Sequence, residues 1–502
     1  MTKFIPYNKI FKERQFMKKF SILIVGLFLF QFAAAQEIIN FDDAMRIARE
    51  NSPTIRQARF SLERSQELLN AQEAALNSRF SLNVEPFLFQ RSRNFQALLG
   101  RFNDSEEKRS SATFIVAQPI LLTDGTLSLQ NTFQYRDTQS EFQGDVQNKI
   151  YSNNLFLSFS QPLFTYNRTK LALEEVKADL DYSYLNYVIN ELQLEQQVAN
   201  LFYRTYQNKL ALQVAREDLS NTKQSYEIIE NKVNAGLAAK EELFQAELNL
   251  ITSRSSVQNS EVTLQNSLDD LKQLLGIDLY KEISVATEIS QDKIEISAER
   301  AIKLGLANRL ELRQRDLDIR SSKASLIRAA ATNEFKGNLN LSYGFIGNDE
   351  AVNQIFDNQD QNQSASISFD IPIYDWGEQE SREKAAQISV MTSEFNREDE
   401  KVNIIIGLRK AYRSLENQSL QIDLAKQNVK IAQQTYDINL ERYKNGDLTS
   451  MDLNLFQNQL STKKNNLVDA QINYKLLLLD LKVQALWDFE KDRAVDIQKQ
   501  NR

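Results

Sequence analysis

SASISFDIPIY, residues 364 to 374, alternates without a break: Ala365, Ile367, Phe369, Ile371 and Ile373 fall on one side of an extended chain, and Ser364, Ser366, Ser368 and Asp370 on the other. NLNLSYGF, 338 to 345, repeats the pattern, with Leu339, Leu341, Tyr343 and Phe345 opposite Asn338, Asn340, Ser342 and Gly344. Upstream, Leu155, Leu157 and Phe159 oppose Ser158 and Ser160, and Leu82 and Val84 oppose Ser81 and Asn83. Strands of about ten residues with one apolar and one small polar face fit a transmembrane β-barrel with a wet lumen. Strands covered by soluble helices are the alternative. Four strands do not close a barrel, which takes about eight, so several copies of the chain must share one.

Outward from these strands the chain is a duplication. Adding 210 to the numbers of the first half places SFSQPLF (158 to 164) on SFDIPIY (368 to 374), Leu210 on Leu420, Tyr226 on Tyr436, Gly236 on Gly446, Leu243 on Leu453 and Leu250 on Leu460 without a gap. Nearer the N-terminus the offset is 257, with Ala44 on Ala301, Asn51 on Asn308 and Leu69 on Leu326. The change of offset places an insertion in the first copy, between about 85 and 155. Within it TFIVAQPILLTDGTLSLQNTFQY, 113 to 135, reads as a β-hairpin turning at Asp124-Gly125. It is either an extracellular extension or two further strands in the wall.

Each copy reads as helix, strand, loop, strand, long helix, turn, helix. The first repeat is expected over 36–284, with strands near 81–89 and 154–163 around an inserted hairpin at 111–136, a long helix at 168–233, a tip turn and a helix at 238–275. The second is expected over 285–502, with a helix at 298–335, strands at 338–346 and 364–374, a long helix at 377–443, a tip turn and a helix at 449–487. In the first long helix Leu180, Tyr187, Leu194, Val198, Leu212, Tyr226, Ile229 and Val233 keep one heptad register. Val390, Ile404, Leu408, Ala411, Leu415, Ala425, Tyr436 and Tyr443 keep it in the second. A sustained period of about 3.5 residues means coiled-coil packing. A second apolar row, Leu192, Phe202, Leu210, Val214 and Ile228, widens the stripe, as expected of a helix with neighbours on both sides.

The composition excludes much chemistry. The chain has no cysteine and no histidine, so thiolate catalysis, metal or haem ligation by these residues and a Ser-His-Asp triad are ruled out. A glycosidase would need two acids close together in a cleft, and extended helices offer none. No cofactor, no metal and no enzymatic activity are expected. Lys18-Lys19, the apolar run Phe20 to Phe32 and Ala33-Ala34-Ala35 read as a secretory signal over 1–35, with Met1 or Met17 as the start. The chain beyond Ala35 carries 54 basic against 66 acidic residues, a net charge of −12. An acidic exported chain is a poor partner for nucleic acid.

Three features together resemble a known family. They are FDDAMRIARENSPTIRQA (41 to 58), with its Asn-Ser-Pro break, SQPLF and DIPIY ending the second strand of each copy, and the paired turns VNAGLAAKEEL and YKNGDLTSMDL. The chain resembles the TolC-like outer-membrane efflux proteins, the exit ducts of tripartite pumps and type I secretion systems. The resemblance implies an α+β membrane protein. Three chains would combine long coiled-coil helices in a periplasmic α-barrel with four β-strands each in a shared twelve-stranded barrel, set in the lipid of a Gram-negative outer membrane. It implies a periplasmic adaptor (membrane fusion) protein and an inner-membrane transporter as partners. An exported coiled-coil tether without a pore is the other reading, and it leaves the alternating strands unused.

By the same resemblance Gly236, Leu237, Gly446, Asp447 and Leu448 are the periplasmic tips that an adaptor docks against, and Glu242, Asp452 and Tyr443 belong to the periplasmic entrance. Ser158, Ser160, Ser366, Ser368 and Asp370 would line the barrel lumen. Both acids stand where a helix begins, so a helix cap competes with a gate as their role. Leu448 and Leu455 stand where some members carry an arginine and a further aspartate, which leaves the mouth fewer polar links.

Overall fold

The heptad registers run as two long helices. The computed structural model describes residues 37–96, 100–140, 147–286, 294–357 and 359–495; the expected signal segment, 1–35, lies outside them. In chain order the elements are β1 (Glu37–Ile39), α1 (Phe41–Asn51), α2 (Pro53–Ala74), β2 (Arg79–Gln96), β3 (Arg101–Ile120), β4 (Gly125–Ser140), β5 (Gln147–Leu163), α3 (Arg168–Asn234), α4 (Lys240–Leu275) and β6 (Ile283–Val285). There follow α5 (Ala298–Asn308), α6 (Leu310–Ala330), β7 (Lys336–Asp349), β8 (Gln359–Asp370), α7 (Glu378–Asn445), α8 (Ser450–Ala485), β9 (Trp487–Asp488) and β10 (Arg493–Ala494).

The described chain falls into two units. The first draws on residues 37–56, 190–286, 294–308 and 405–495. Its core is built by the coiled-coil rows: Leu194, Val198, Phe202, Leu212 and Ile229 of α3 and Leu408, Ala411, Leu415, Ala425, Tyr436 and Tyr443 of α7 are all buried. The parallel pair of β1 and β6, Glu37 opposite Ile283 through Ile39 opposite Val285, ties the segment before α1 to the chain after α4. Asn40 caps α1 by accepting from the Asp43 amide at 2.8 Å. Gly276, at φ +65°, ends α4 where an added Cβ would stand 3.0 Å from the Cβ of Asn51.

The expected helix 298–335 is two helices. Arg309 leaves the helical region at φ −59° and ψ 124°, and Ser52 leaves it at φ −57° and ψ 125°. Positions 52 and 309 are equivalent under the 257-residue offset. In the first copy Pro53 forbids a helical Ser52. The second copy has no proline there, so the break belongs to the duplicated fold and has no signature in the sequence.

The second unit, Gln57–Ile189 and Arg309–Ile404, carries one antiparallel sheet in the order β2-β3-β4-β5-β7-β8. The sequence leads one to expect four strands; the sheet has six. The inserted hairpin supplies the other two, β3 and β4, which lie between the strands expected to be neighbours. Its turn at 121–124 sits at the helix end of the sheet. Asn167 donates to the Leu121 carbonyl at 2.7 Å, and the Thr169 amide donates to the Asp124 carboxylate at 2.9 Å, so Asp124 holds the first turn of α3. This hairpin is therefore no extension at the far ends of the strands. The single register shift, between Glu85 and Leu88 on the edge strand β2, accommodates Pro86, which has no N–H to give a ladder.

Candidate functional site

The sheet divides its side chains by chemistry. Ser128, Ser158, Ser342 and Ser364 are successive partners across β4, β5, β7 and β8, and Ser160, Asn340 and Ser366 form the row below them. Ser160 donates to Asn340 at 2.9 Å. Ser368 pairs with Asn338 in register and donates to its carbonyl at 3.5 Å. Asp370 ends the face in an ion pair with Lys336 at 3.2 Å. All five residues expected to line a lumen share this polar face. The opposite face carries Phe80, Leu82 and Val84 on β2, Leu127 and Leu129 on β4, Leu157 on β5, Leu341 and Tyr343 on β7 and Ile367 and Phe369 on β8, all exposed. Exposed apolar side chains over one whole sheet face mark contact with lipid or with a partner.

The tip turns are built alike. The Gly236 amide bonds to the Val233 carbonyl at 3.0 Å and the Leu237 amide to the Lys232 carbonyl at 2.8 Å; Gly446 and Asp447 make the matching bonds to Tyr443 and Arg442 at 3.2 and 2.9 Å. These are helix-ending Schellman turns, and they need a left-handed residue. Gly236 stands at φ +73° and Gly446 at φ +92°, with open space where a Cβ would go. Leu237 is 79% exposed. Leu448 leans on the hydrophobic cluster below the turns, made by Ile229, Ala246, Tyr436, Tyr443, Leu453 and Leu460.

The three residues expected at the entrance occupy three different environments. Tyr443 is fully buried. Its hydroxyl donates to the Ser225 carbonyl at 3.1 Å, and the Lys232 ammonium donates to the Tyr443 backbone carbonyl at 2.5 Å while standing 5.1 Å from the centre of the Tyr443 ring. Burial, with a smaller contribution from the Glu242 carboxylate, pushes its phenol up to about 12. Asp452 is bonded to the helix cap, Thr449: its amide donates to Thr449 Oγ1 at 3.2 Å, and that hydroxyl donates back to its carboxylate at 2.7 Å. The equivalent Ala239 has no side chain to offer α4. Glu242 is half-buried, and its carboxylate contributes to the rise at Tyr443.

A sheet with one apolar and one polar face, duplicated helices and paired tip turns also describe a family of known sequences. The model for outer membrane efflux proteins matches residues 44–277 and 301–483. The chain belongs to that family. The efflux protein is 23% identical over 375 residues to Nodulation protein T of Rhizobium leguminosarum bv. trifolii, covering 72% of this chain and 76% of the relative. It is 23% identical over 286 residues to Protein CyaE of Bordetella pertussis, covering 56% and 59%.

Its fold matches the Campylobacter jejuni CmeC outer membrane channel, with a TM-score of 0.66, 16% identity and coverage of 91% of this chain and 87% of that one. The outer membrane protein VceC of Vibrio cholerae matches with a TM-score of 0.65, 14% identity and coverage of 91% and 97%. The efflux protein is thus an exit duct of the outer membrane that extends into the periplasm. Its family and fold are those of channels that work as homotrimers with an adaptor and an inner-membrane pump.

Sequence reasoning passed over one cluster in this efflux protein. Gln457, buried on α8, donates to the Asp218 carbonyl and carboxylate at 2.8 and 2.9 Å and to Thr222 at 2.6 Å. Ser253 of α4 and Ser461 of α8 donate to the same carboxylate at 2.9 and 3.1 Å. A polar pin through a coiled coil fixes its register. Its signal in the sequence is only that Thr222, Ser253 and Gln457 are polar residues within rows that are otherwise apolar.

Proposed function

We propose that copies of this chain close their sheets into one barrel, with Ser158, Ser160, Ser366, Ser368 and Asp370 facing an aqueous lumen, and that substrates pass through it without any reaction. The separation of the six-stranded sheet into one apolar and one polar face carries this reading, because only a wall with oil outside and water inside uses both faces. Small hydroxyl and amide side chains offer passing molecules little to bind. Association of copies is supported by apolar rows left exposed at heptad spacing, Leu424, Ile431 and Ile438 on α7 and Phe244, Leu248 and Ile251 on α4, which suit a neighbouring helix.

The turns at Gly236-Leu237 and Gly446-Asp447-Leu448 present the surface for an adaptor. Glu242 and Asp452 from three copies place about six carboxylates around the mouth, which concentrates cations and disfavours anions. Tyr443 holds the two hairpins of one chain together behind that mouth. The duct draws its energy from the pump it serves. The test is single-channel conductance of the detergent-purified oligomer in a planar bilayer, for wild type and Glu242→Gln/Asp452→Asn. Cation selectivity that falls in the double variant supports the acidic mouth; unchanged selectivity removes Glu242 and Asp452 from it.

A further inference from the structure

The sheet is two strands wider than the resemblance to four-stranded relatives implies, and the extra strands are paired on both sides within it. Their ladders run without interruption: β3 pairs with β4 from Ser105 opposite Ser140 to Ile120 opposite Gly125, and β4 with β5 from Thr126 opposite Ser160 to Gln139 opposite Gln147. Both strands therefore lie at the height of β5, β7 and β8. Their side chains alternate in phase with the neighbours apart from Ile115 and Ala117 on the polar face and Gln118 and Asn131 on the apolar one. In register, Thr113 of β3 and Thr132 of β4 continue the polar face and bond to each other at 3.2 Å. Phe114 and Leu129 continue the exposed apolar face. A plug would be polar on both faces, and an extracellular extension would not carry the apolar face down to the turn that holds α3.

The edges of the sheet are β2 and β8. Six alternating strands leave these two running in opposite directions, so β8 of one copy continues the antiparallel ladder on β2 of the next with the apolar faces on the same side. Six strands are too few to close on themselves, since about eight are needed. The occupant of both edges is a second copy of this chain.

We propose that this efflux protein, read as the homotrimeric duct above, closes an eighteen-stranded barrel, and that its exit passes cargo as wide as a folded helical hairpin. With strands about 4.8 Å apart and tilted by about 40°, twelve strands give a backbone radius of about 12 Å and eighteen about 18 Å. After about 5 Å for side chains, the free diameter rises from about 14 to about 26 Å on the same geometry. The narrower exit admits a single helix about 10–12 Å across; the wider admits two packed side by side.

The chain has no cysteine, so engineered pairs report cleanly. Ser128→Cys/Ser158→Cys, direct partners across β4 and β5, and Ser81→Cys/Ile115→Cys, direct partners across β2 and β3, are each expected to form an intramolecular disulfide in the membrane-inserted protein while it still conducts. Polyethylene glycols of graded size, added to the extracellular side of the wild-type channel, should enter up to a radius of about 13 Å, against about 7 Å for twelve strands. A conducting trimer that excludes polymers above the smaller radius, or in which either pair stays reduced, overturns the wide exit and leaves the duct standing. A chain that neither forms a trimer nor conducts overturns the duct itself.

Discussion

The hydroxyl of Tyr443 on α7 donates to the backbone carbonyl of Ser225 on α3 at 3.1 Å inside the hydrophobic cluster below the tip turns. One phenol thereby joins two hairpins of the duplicated chain. Tyr443→Phe removes the bond and leaves the Ser225 carbonyl without that donor, and it should cost about 1 kcal/mol. Tyr443→Ala should cost about 3–5 kcal/mol through the cavity it opens. Both appear as lower midpoints when far-UV circular dichroism follows melting in detergent, and equal midpoints for wild type and Tyr443→Ala would exclude a structural role.

The same phenol gives an alkaline limit. Burial holds Tyr443 and Tyr436 at about 12 in the folded chain, against an ordinary value near 10. Below pH 10 both states keep these protons and stability does not depend on them. Between about pH 10 and 12 the unfolded chain releases protons that the folded chain retains, so stability falls as pH rises through that window. The midpoint should drop across it, and Tyr443→Phe should show a shallower drop than wild type.

At the turns the cost is conformational. An alanine at Gly236 or Gly446 meets open space, but it must hold φ of +73° or +92°. That should cost about 1–2 kcal/mol at each site. Asparagine, which tolerates the left-handed region better, should recover part of the loss at either turn. Thermal midpoints in the order Gly, Asn, Ala would check the assignment; alanine melting like wild type would contradict it.

These turns were legible in the sequence because a glycine within two long apolar registers has few other uses, and the duplication showed it twice. The strand faces were legible because alternation survives in short segments such as 364–370. The width of the sheet was not, since whether a hairpin joins a wall or stands clear of it depends on pairing with β2 and β5, which local alternation does not encode. The local difference between the two acids was less visible: an acid six residues after a turn glycine looks the same at 242 and 452, yet Thr449 bonds Asp452, while Ala239 has no side chain to offer Glu242.

The pin around Asp218 should behave as a unit. Asp218→Ala strips a carboxylate from Gln457, Ser253 and Ser461 at once; Gln457 keeps the backbone carbonyl of residue 218 and Thr222, the two serines must find other partners, and the change should cost about 2–4 kcal/mol. Gln457→Leu alone leaves Asp218 its serine donors and should cost less. Because the two residues share one network, the double variant should lose less than the sum of the single losses. Strict additivity in the unfolding midpoints would show that the carboxylate and the amide act independently.

Lys482 and Glu195 form a second linkage within the helical unit, at 2.8 Å with Glu195 only 7% exposed. Lys482→Met leaves that carboxylate buried without its cation and should cost about 3 kcal/mol or more. Lys482 also stands 3.7 Å from the buried Asp488, so pairing Lys482→Met with Glu195→Gln removes one of two stranded charges and should restore part of the loss. A double variant no better than Lys482→Met would assign the cost to Asp488 and the packing of the lysine stem.

Gly344 has a different constraint on the polar face of the sheet. It lies opposite Phe156, and a Cβ there would stand 2.3 Å from Cδ1 of that ring and 2.4 Å from the Leu155 carbonyl oxygen. The ring fills the space that the glycine leaves, which accounts for the one aromatic side chain among the serines and asparagines around it on β5 and β7. Gly344→Ala should therefore disrupt the centre of the sheet and lower the heat resistance of the folded oligomer on unboiled electrophoresis. Phe156→Ala added to it relieves only the ring contact, since the carbonyl belongs to the backbone, so rescue should be partial. Full heat resistance in Gly344→Ala would mean that β5 and β7 are not held in this register.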